Sequence, residues 1–304
     1  MICRTVNRIL VFCCVLLGLC IKGAYSEEPK RRTWVAIPVD CMLTILPKED
    51  PLPYTLRDIA RDVATGKTRR ARTNPERGVF LTDDQVLELS MQGTGSHFND
   101  LTCLDGIPGE QLRSLSLLTD RISTPGLRRL KCFSGLRQLR IWCQELEDFP
   151  ALQKACPSLE YISLESFDPG DPDQPEGNIF NDEVCKKFVN WKELRCARVC
   201  GRRFTDKAVS ELAKLPKIEG IMVCGSFKVT DEGLKSLLAA RQLREIVLNV
   251  GPKCTDEGVR ELTKLEHLQW IEIEGMEKVE QSTIDALRAR FPVAHIDFKR
   301  RGSP

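Results

Sequence analysis

Three histidines, an acidic segment and a pair of matched cysteines are the side chains of this 304-residue chain that could carry out chemistry. His97 lies in GTGSHF, which lacks the spacing around a hydrolase nucleophile, while His267 and His295 fall just before and within a predicted strand. The chain has neither a GxxxxGK[ST] phosphate-binding loop nor an HExxH zinc motif. We therefore predict a protein with no enzymatic activity and no cofactor.

The acidic segment ESFDPGDPDQPEGNIFNDE concentrates carboxylates that could bind a hard cation. Its weak candidates for cation ligands are Asp168, Asp171, Asp173 and Glu176. Their spacing does not match an EF-hand loop, because the required glycine is missing and Pro175 occupies a ligand position. We interpret the segment as an acidic surface insert near residues 167–180 and predict no metal site, while cation binding by the insert stays open.

The elements that position these side chains belong to a repeating unit. One octapeptide recurs every 25 residues, as TDKAVSEL at 205–212, TDEGLKSL at 230–237 and TDEGVREL at 255–262. In each copy Thr is predicted to cap a helix, and the acid that follows suits the positive end of the helix dipole. The later apolar residues form a stripe that a single unit cannot bury, so the units are predicted to stack.

A strand-like segment with apolar or small residues at its first, fourth and sixth places accompanies each unit. The segments are a weaker VLELSM at 86, then LRSLSLL at 112, LRQLRIW at 136, LEYISLE at 159, LRCARVC at 194, IEGIMVC at 218, LREIVLN at 243, LQWIEIE at 268 and VAHIDF at 293. Successive starts are 23 to 26 residues apart, except for one interval of 35 residues that holds the acidic insert. Stacking would join these strands into a parallel sheet.

This pattern, L-x-x-L-x-L with a T-D-x-G-L helix start, resembles leucine-rich repeat proteins over residues 83–298. It is most similar to the short-helix kind found in exported bacterial and cysteine-containing families. The resemblance implies an α/β solenoid of about eight to nine repeats, curved into a horseshoe with a parallel concave sheet and short helices on the convex side. It also implies that the concave face binds other macromolecules.

Arginine and aromatic side chains gather at the strand places that are predicted to face solvent. The candidate protein-binding residues are Arg137, Arg140, Trp142, Tyr161, Arg195 and Arg198. Trp, Tyr and Arg are enriched in interface hot spots, and acids gather instead on the last strands. The acidic insert follows the strand at 159–164 and is expected at the rim of the same face. We therefore predict a protein partner that contacts this face and the insert.

Cys200 and Cys224 occupy matching places in two predicted neighbouring strands, each before a glycine. Parallel strands lie about 4.8 Å apart, which is within the range of Cα separations in disulfides. Side-by-side cysteines on such strands rarely have the torsion that the bond requires. A disulfide and two free thiols therefore both stay open.

The N-terminus is typical of a secretory signal peptide. Arg4 and Arg8 precede the apolar run ILVFCCVLLGLCI, and the small residues Ala24 and Ser26 follow it. We predict a signal peptide at 1–26, cleaved after Ser26, and a secreted or periplasmic protein. The remaining segments are predicted as an N-terminal cap and basic linker (27–82, with the linker at 67–77) and a tail (299–304).

Two alternatives to an exported binding protein stay open. The segment IPVDCMLTIL at 37–46 resembles the start of an F-box, a helical module that recruits substrates to a ubiquitin ligase. A structural component of the cell envelope is the other alternative. With 45 basic and 43 acidic side chains the net charge is +2, which gives no bias toward nucleic acid or membranes. We therefore predict that the protein does not bind nucleic acid and that only its signal peptide contacts a membrane. The sequence leaves the oligomeric state open.

Overall fold

The computed structural model of this protein describes residues 32–36, 41–49, 78–166 and 180–299. The chain divides into two compact units, Met1–Arg32 and Thr33–Pro304. Of the described residues, Arg32 belongs to the first unit and all others belong to the second. The predicted signal peptide, the linker at 67–77, the four candidate cation ligands of the insert and the tail beyond residue 299 lie outside the described residues.

The predicted strand segments all form β-strands. In chain order the strands are β1 (Arg32–Ala36), β2 (Cys41–Pro47), β3 (Gly78–Thr82), β4 (Gln85–Gln92), β5 (Leu112–Leu118), β6 (Arg121–Ile122), β7 (Gln138–Cys143), β8 (Glu145–Leu146), β9 (Tyr161–Ser166), β10 (Cys196–Cys200), β11 (Gly220–Cys224), β12 (Glu245–Asn249), β13 (Trp270–Glu274) and β14 (His295–Lys299). One sheet contains ten of them in the order β14-β13-β12-β11-β10-β9-β7-β5-β4-β2. Two small sheets, β1-β3 and β6-β8, complete the described strands.

A short helix lies between each pair of consecutive parallel strands of the large sheet. The α-helices are α1 (Ser96–Asn99), α2 (Thr124–Arg129), α3 (Phe149–Ala155), α4 (Asp182–Lys187), α5 (Asp206–Ala213), α6 (Asp231–Ser236), α7 (Asp256–Glu261) and α8 (Gln281–Arg290). Single 3-10 turns lie at Thr102–Leu104, Leu130–Cys132, Phe188–Asn190, Leu237–Ala239 and Leu262–Lys264. None of the helices in the described part is long and apolar enough to cross a membrane.

Strand and helix side chains meet in one hydrophobic core. Ala197 and Val199, at the fourth and sixth places of their segment, are fully buried, as are Val209 and Leu212 on α5. All four belong to a continuous core cluster that runs along the sheet. Burying a valine or leucine side chain stabilises the fold by about 1.5–3 kcal/mol. The predicted α/β class is confirmed as a solenoid-like arrangement of a long, mostly parallel sheet and short helices.

Hydrogen bonds between neighbouring helix starts explain why Thr-Asp recurs. Thr230 and Thr255 cap α6 and α7, accepting from the N–H groups of Glu232 and Glu257 at 3.3 Å. The carboxylate of Asp231 then reaches the next unit, where it accepts from the backbone N–H and the hydroxyl of Thr255, both at 2.7 Å. The capping prediction is confirmed, whereas the link between units was not predicted.

These Thr–Asp links continue along four successive helices. The same two bonds run from Thr205 to Asp182 and from Thr230 to Asp206. The series ends at α8, where Asp256 accepts from the N–H of Glu280 and the helix begins with Gln281 instead of an acid. From α4 to α8, the start of each helix is therefore hydrogen-bonded to the start of the next.

The N-terminal edge of the sheet differs from the helical F-box interpretation. Cys41–Pro47 forms strand β2, which pairs antiparallel with β4 at the edge of the sheet. This strand forms the last position of the sheet beside β4. The part of the F-box-like segment that the structure describes, 41–46, is therefore not helical.

Candidate protein-interaction surface

Alternate side chains of the parallel strands point away from the core, and we call the surface they form the solvent-side face. Because the strands are in register, these side chains form straight rows across the sheet. One row, which we call the central row, consists of Arg140, Ser163, Arg198, Met222, Val247, Glu272 and Asp297. Four of the six predicted binding residues, Arg140, Trp142, Tyr161 and Arg198, lie on this face.

Arg198 is held in place by side chains on the two neighbouring strands, β9 and β11. It donates to the Ser163 hydroxyl at 3.2 Å and to the Met222 sulfur at 2.9 Å, and it forms an ion pair with Glu165. Its side chain is only 22% exposed. Arg198 therefore presents a fixed, partly neutralised cation to the surface.

Tyr161 lies on the predicted face but is not exposed as predicted. Its relative accessibility is 2%, and the Arg140 guanidinium lies 5.6 Å from the centre of its ring. Burial raises the pKa of the Tyr161 hydroxyl, and the charges of Arg140 and Arg198 partly oppose that shift. The ring therefore supports Arg140 through a cation–π contact, and the prediction that Tyr161 points to solvent is wrong.

Trp142 is the predicted binding residue with the largest exposed apolar surface. It sits on β7, two residues beyond Arg140, and is 42% exposed. Its register partner is Glu165, the carboxylate that pairs with Arg198. An indole beside arginines is a combination that recurs at the centre of interfaces.

Arg137 and Arg195 lie apart from this group, because each comes immediately before its strand. Arg137 donates to the carbonyls of Ser134 and Leu136 and lies 3.7 Å from the Glu160 carboxylate. Arg195 makes a bidentate contact with Glu219 at 2.9 and 3.0 Å. The structure thus separates the six predicted residues into four on the face and two ion-paired arginines where the strands begin.

Cys200 and Cys224 are direct register partners on β10 and β11, as predicted, and both are free thiols in the structure. Burial raises the pKa of both, and it raises the pKa of Cys224 to about 12, with a further contribution from nearby Cys200. A thiol with such a pKa stays protonated at neutral pH and is a poor nucleophile or metal ligand.

The last three strands give the same face the opposite sign of charge. Their acidic side chains are Glu245, Glu272, Glu274 and Asp297. Lys299 lies 3.2 Å from Glu272 and 3.3 Å from Asp297, and these carboxylates raise the pKa of its ammonium group. The sequence predicts acids on the last strands but does not identify them as a site, because no motif connects residues that lie so far apart in the chain.

The two histidine side chains that the structure describes, His267 and His295, contact residues close to them at the C-terminal end of the sheet. His295 stacks on Trp270 with ring centres 3.8 Å apart, and exposed His267 lies 3.9 Å from Glu266. Across 32–36, 41–49, 78–166 and 180–299, no three His, Cys, Asp or Glu side chains are arranged to hold a metal ion.

No protein-family model and no curated protein sequence matches this chain.

Proposed function

We propose that this chain is an exported, non-enzymatic leucine-rich repeat protein of about eight to nine repeats that binds a protein partner through the solvent-side face. The observation that carries this proposal is the group formed by Arg140, Arg198 and Trp142. Arg140 is supported by the buried Tyr161 ring, Arg198 is held by three side chains, and Trp142 is exposed beside them. Side chains that are ordered before binding lose little conformational entropy when a partner contacts them.

The acidic insert contributes to the same surface in this proposal. It follows directly after Ser166, the last residue of β9, and β9 lies between the strands that carry Arg140 and Arg198. Chain connectivity therefore starts the insert at the end of β9 nearest Trp142. A partner that contacts Trp142 is positioned to contact the first residues of the insert.

The proposal is tested by reversing the two arginines on the face. The variant Arg140→Glu/Arg198→Glu and the control Arg128→Glu/Arg241→Glu make the same change in net charge, and the control residues are exposed positions near helix ends. Partners are captured from the native cells with each protein, and their affinities are then measured by titration with purified components.

We expect the face variant to lose at least about tenfold in affinity, because hot-spot arginines contribute about 2 kcal/mol or more. The control variant should bind as the wild type does. A captured partner that binds the face variant with unchanged affinity would contradict the proposal. Recovery with the cell envelope alone, without a protein partner, would instead favour the structural role.

A further inference from the structure

The side chains of the central row change from basic through apolar to acidic in one direction across the sheet. From β7 onward it carries arginine on β7 and β10 with Ser163 between them on β9, then Met222 on β11 and Val247 on β12, and finally Glu272 on β13 and Asp297 on β14. Each member is the direct register partner of the next, so this order is an order in space. Charge and polarity are therefore graded along a line perpendicular to the strands.

The rows on either side of the central row reinforce this gradient. On β7, β9 and β10 the face carries two arginines against one carboxylate, Glu165. On β12 to β14 it carries four carboxylates against one lysine, Lys299, with Glu245 and Glu274 in the flanking rows. The basic end and the acidic end belong to the same continuous face.

The middle of the face is apolar. Met222 and Val247 form a small cluster with Cys196 and Tyr161, separate from the main core, and Cys224 and Trp270 pack against it. Gly220, which has no side chain, lies on β11 between Cys196 and Glu245. This cluster separates the charged ends by about three strand spacings, or about 14 Å, between Arg198 and Glu272.

We propose that the partner presents to this face a polypeptide segment with two charge blocks, acidic over β7 to β10 and basic over β12 to β14, joined by a few apolar residues. This inference rests on the proposed function and specifies the chemistry of the partner. Each charge block of the partner meets the opposite charge of the face, which selects one orientation and rejects segments of uniform charge. The orientation runs across the strands.

The spacing of the sheet sets the length of each block. Neighbouring strands are about 4.8 Å apart and an extended chain advances about 3.3 Å per residue, so about four residues cross from Arg198 to Glu272. An acidic block of about three residues covers the distance from Arg140 to Arg198.

Two peptides of identical composition test this inference. The block peptide has three glutamates, then Gly-Leu-Leu-Gly, then three lysines, whereas in its isomer glutamate and lysine alternate on both sides of the same centre. Binding of each labelled peptide to the full chain is measured by fluorescence anisotropy at low ionic strength. We expect the wild type to bind the block peptide at least about fivefold more tightly, because several exposed ion pairs each contribute modestly.

Variants at the acidic end show whether the gradient is responsible for this preference. Glu272→Lys/Asp297→Lys should remove it, and the uncharged Glu272→Gln/Asp297→Asn should reduce it with less risk to folding. Glu232→Lys/Glu257→Lys, at exposed positions on α6 and α7, makes the same change in net charge as the first variant and should keep the preference. Circular dichroism confirms that each variant is folded.

Equal binding of both peptides by the wild type, or an unchanged preference in Glu272→Gln/Asp297→Asn, overturns the inference. Either result leaves the proposed function standing if the arginine reversal still weakens a native partner. Conversely, a native partner that binds the arginine-reversal variant with unchanged affinity contradicts the proposed function, even if the wild type prefers the block peptide.

Discussion

Burial determines the protonation of individual cysteine thiols in this protein. It raises the pKa of Cys143, Cys156 and Cys224 to about 12, so these thiols are uncharged at neutral pH. Cys132, in contrast, is exposed at the end of a 3-10 turn. Because the thiolate is the reactive species, most of the described cysteines behave as small apolar side chains.

Alkylation of the folded protein checks this description. At about pH 8 we expect iodoacetamide to modify Cys132 first and to reach the buried thiols of Cys143 and Cys156 only after unfolding, as read by peptide mass spectrometry. Rapid modification of Cys143 in the folded protein would contradict the buried placement. The same experiment checks that Cys200 and Cys224 are free thiols, since a disulfide between them would block both residues after unfolding until a reductant is added.

Neighbouring elements are coupled through the Thr–Asp links between helix starts. Each link satisfies a backbone N–H and a hydroxyl of the next unit with one carboxylate. Glycine allows the carboxylate to approach, because a Cβ at Gly258 would overlap an oxygen of Asp231. Units that could not stand alone are thereby joined by polar bonds as well as by the core.

Removing the carboxylate of one of these links should destabilise the fold, whereas removing the neighbouring exposed carboxylate should not. Asp231→Ala deletes the acceptor of two hydrogen bonds, and we expect the free energy of unfolding to fall by about 2 kcal/mol. Glu232→Ala changes an exposed acid in the same helical turn and should stay within about 0.5 kcal/mol of wild type. Urea denaturation measures both, and equal stability of the two variants would show that the links contribute nothing.

The spacing of apolar residues was sufficient to predict the nine strands of the repeat and the three helices that start with Thr-Asp, because burial of alternate side chains is a local pattern in the chain. The short strands β6 and β8 were not predicted. The role of Asp231 was not predicted, since its bonds to Thr255 depend on how closely two units approach. The aromatic group of Phe149, Phe188 and Trp191, with ring centres 5.2 to 6.1 Å apart, was also missed. Its members come from either side of the acidic insert and meet only in three dimensions.

At the scale of the whole molecule, the sequence predicted in outline which residues lie on the solvent-side face. It did not predict how exposed each side chain is or how positive and negative charges are distributed over the face. Strand periodicity correctly assigned Arg140, Trp142 and Arg198 to one face. It could not show that Tyr161 is buried beneath Arg140, because accessibility depends on neighbouring strands. Nor could it show that the acids of β12 to β14 continue the same row, because register between strands is a property of the stacked sheet.

The compartment of the protein determines which partners can reach this face, and it is tested at the N-terminus. A basic start, a short apolar run and small residues at Ala24 and Ser26 predict cleavage after Ser26. We expect the intact mass of the protein from its native cells to correspond to a chain that begins at Glu27. Ala24→Leu should block cleavage, because the site requires a small residue there, whereas Tyr25→Phe changes the intervening position and should leave cleavage unchanged. A wild-type chain that still carries Met1 would contradict cleavage and would mean an anchored or intracellular protein. In that case the partner with two charge blocks would have to be sought at the membrane or inside the cell.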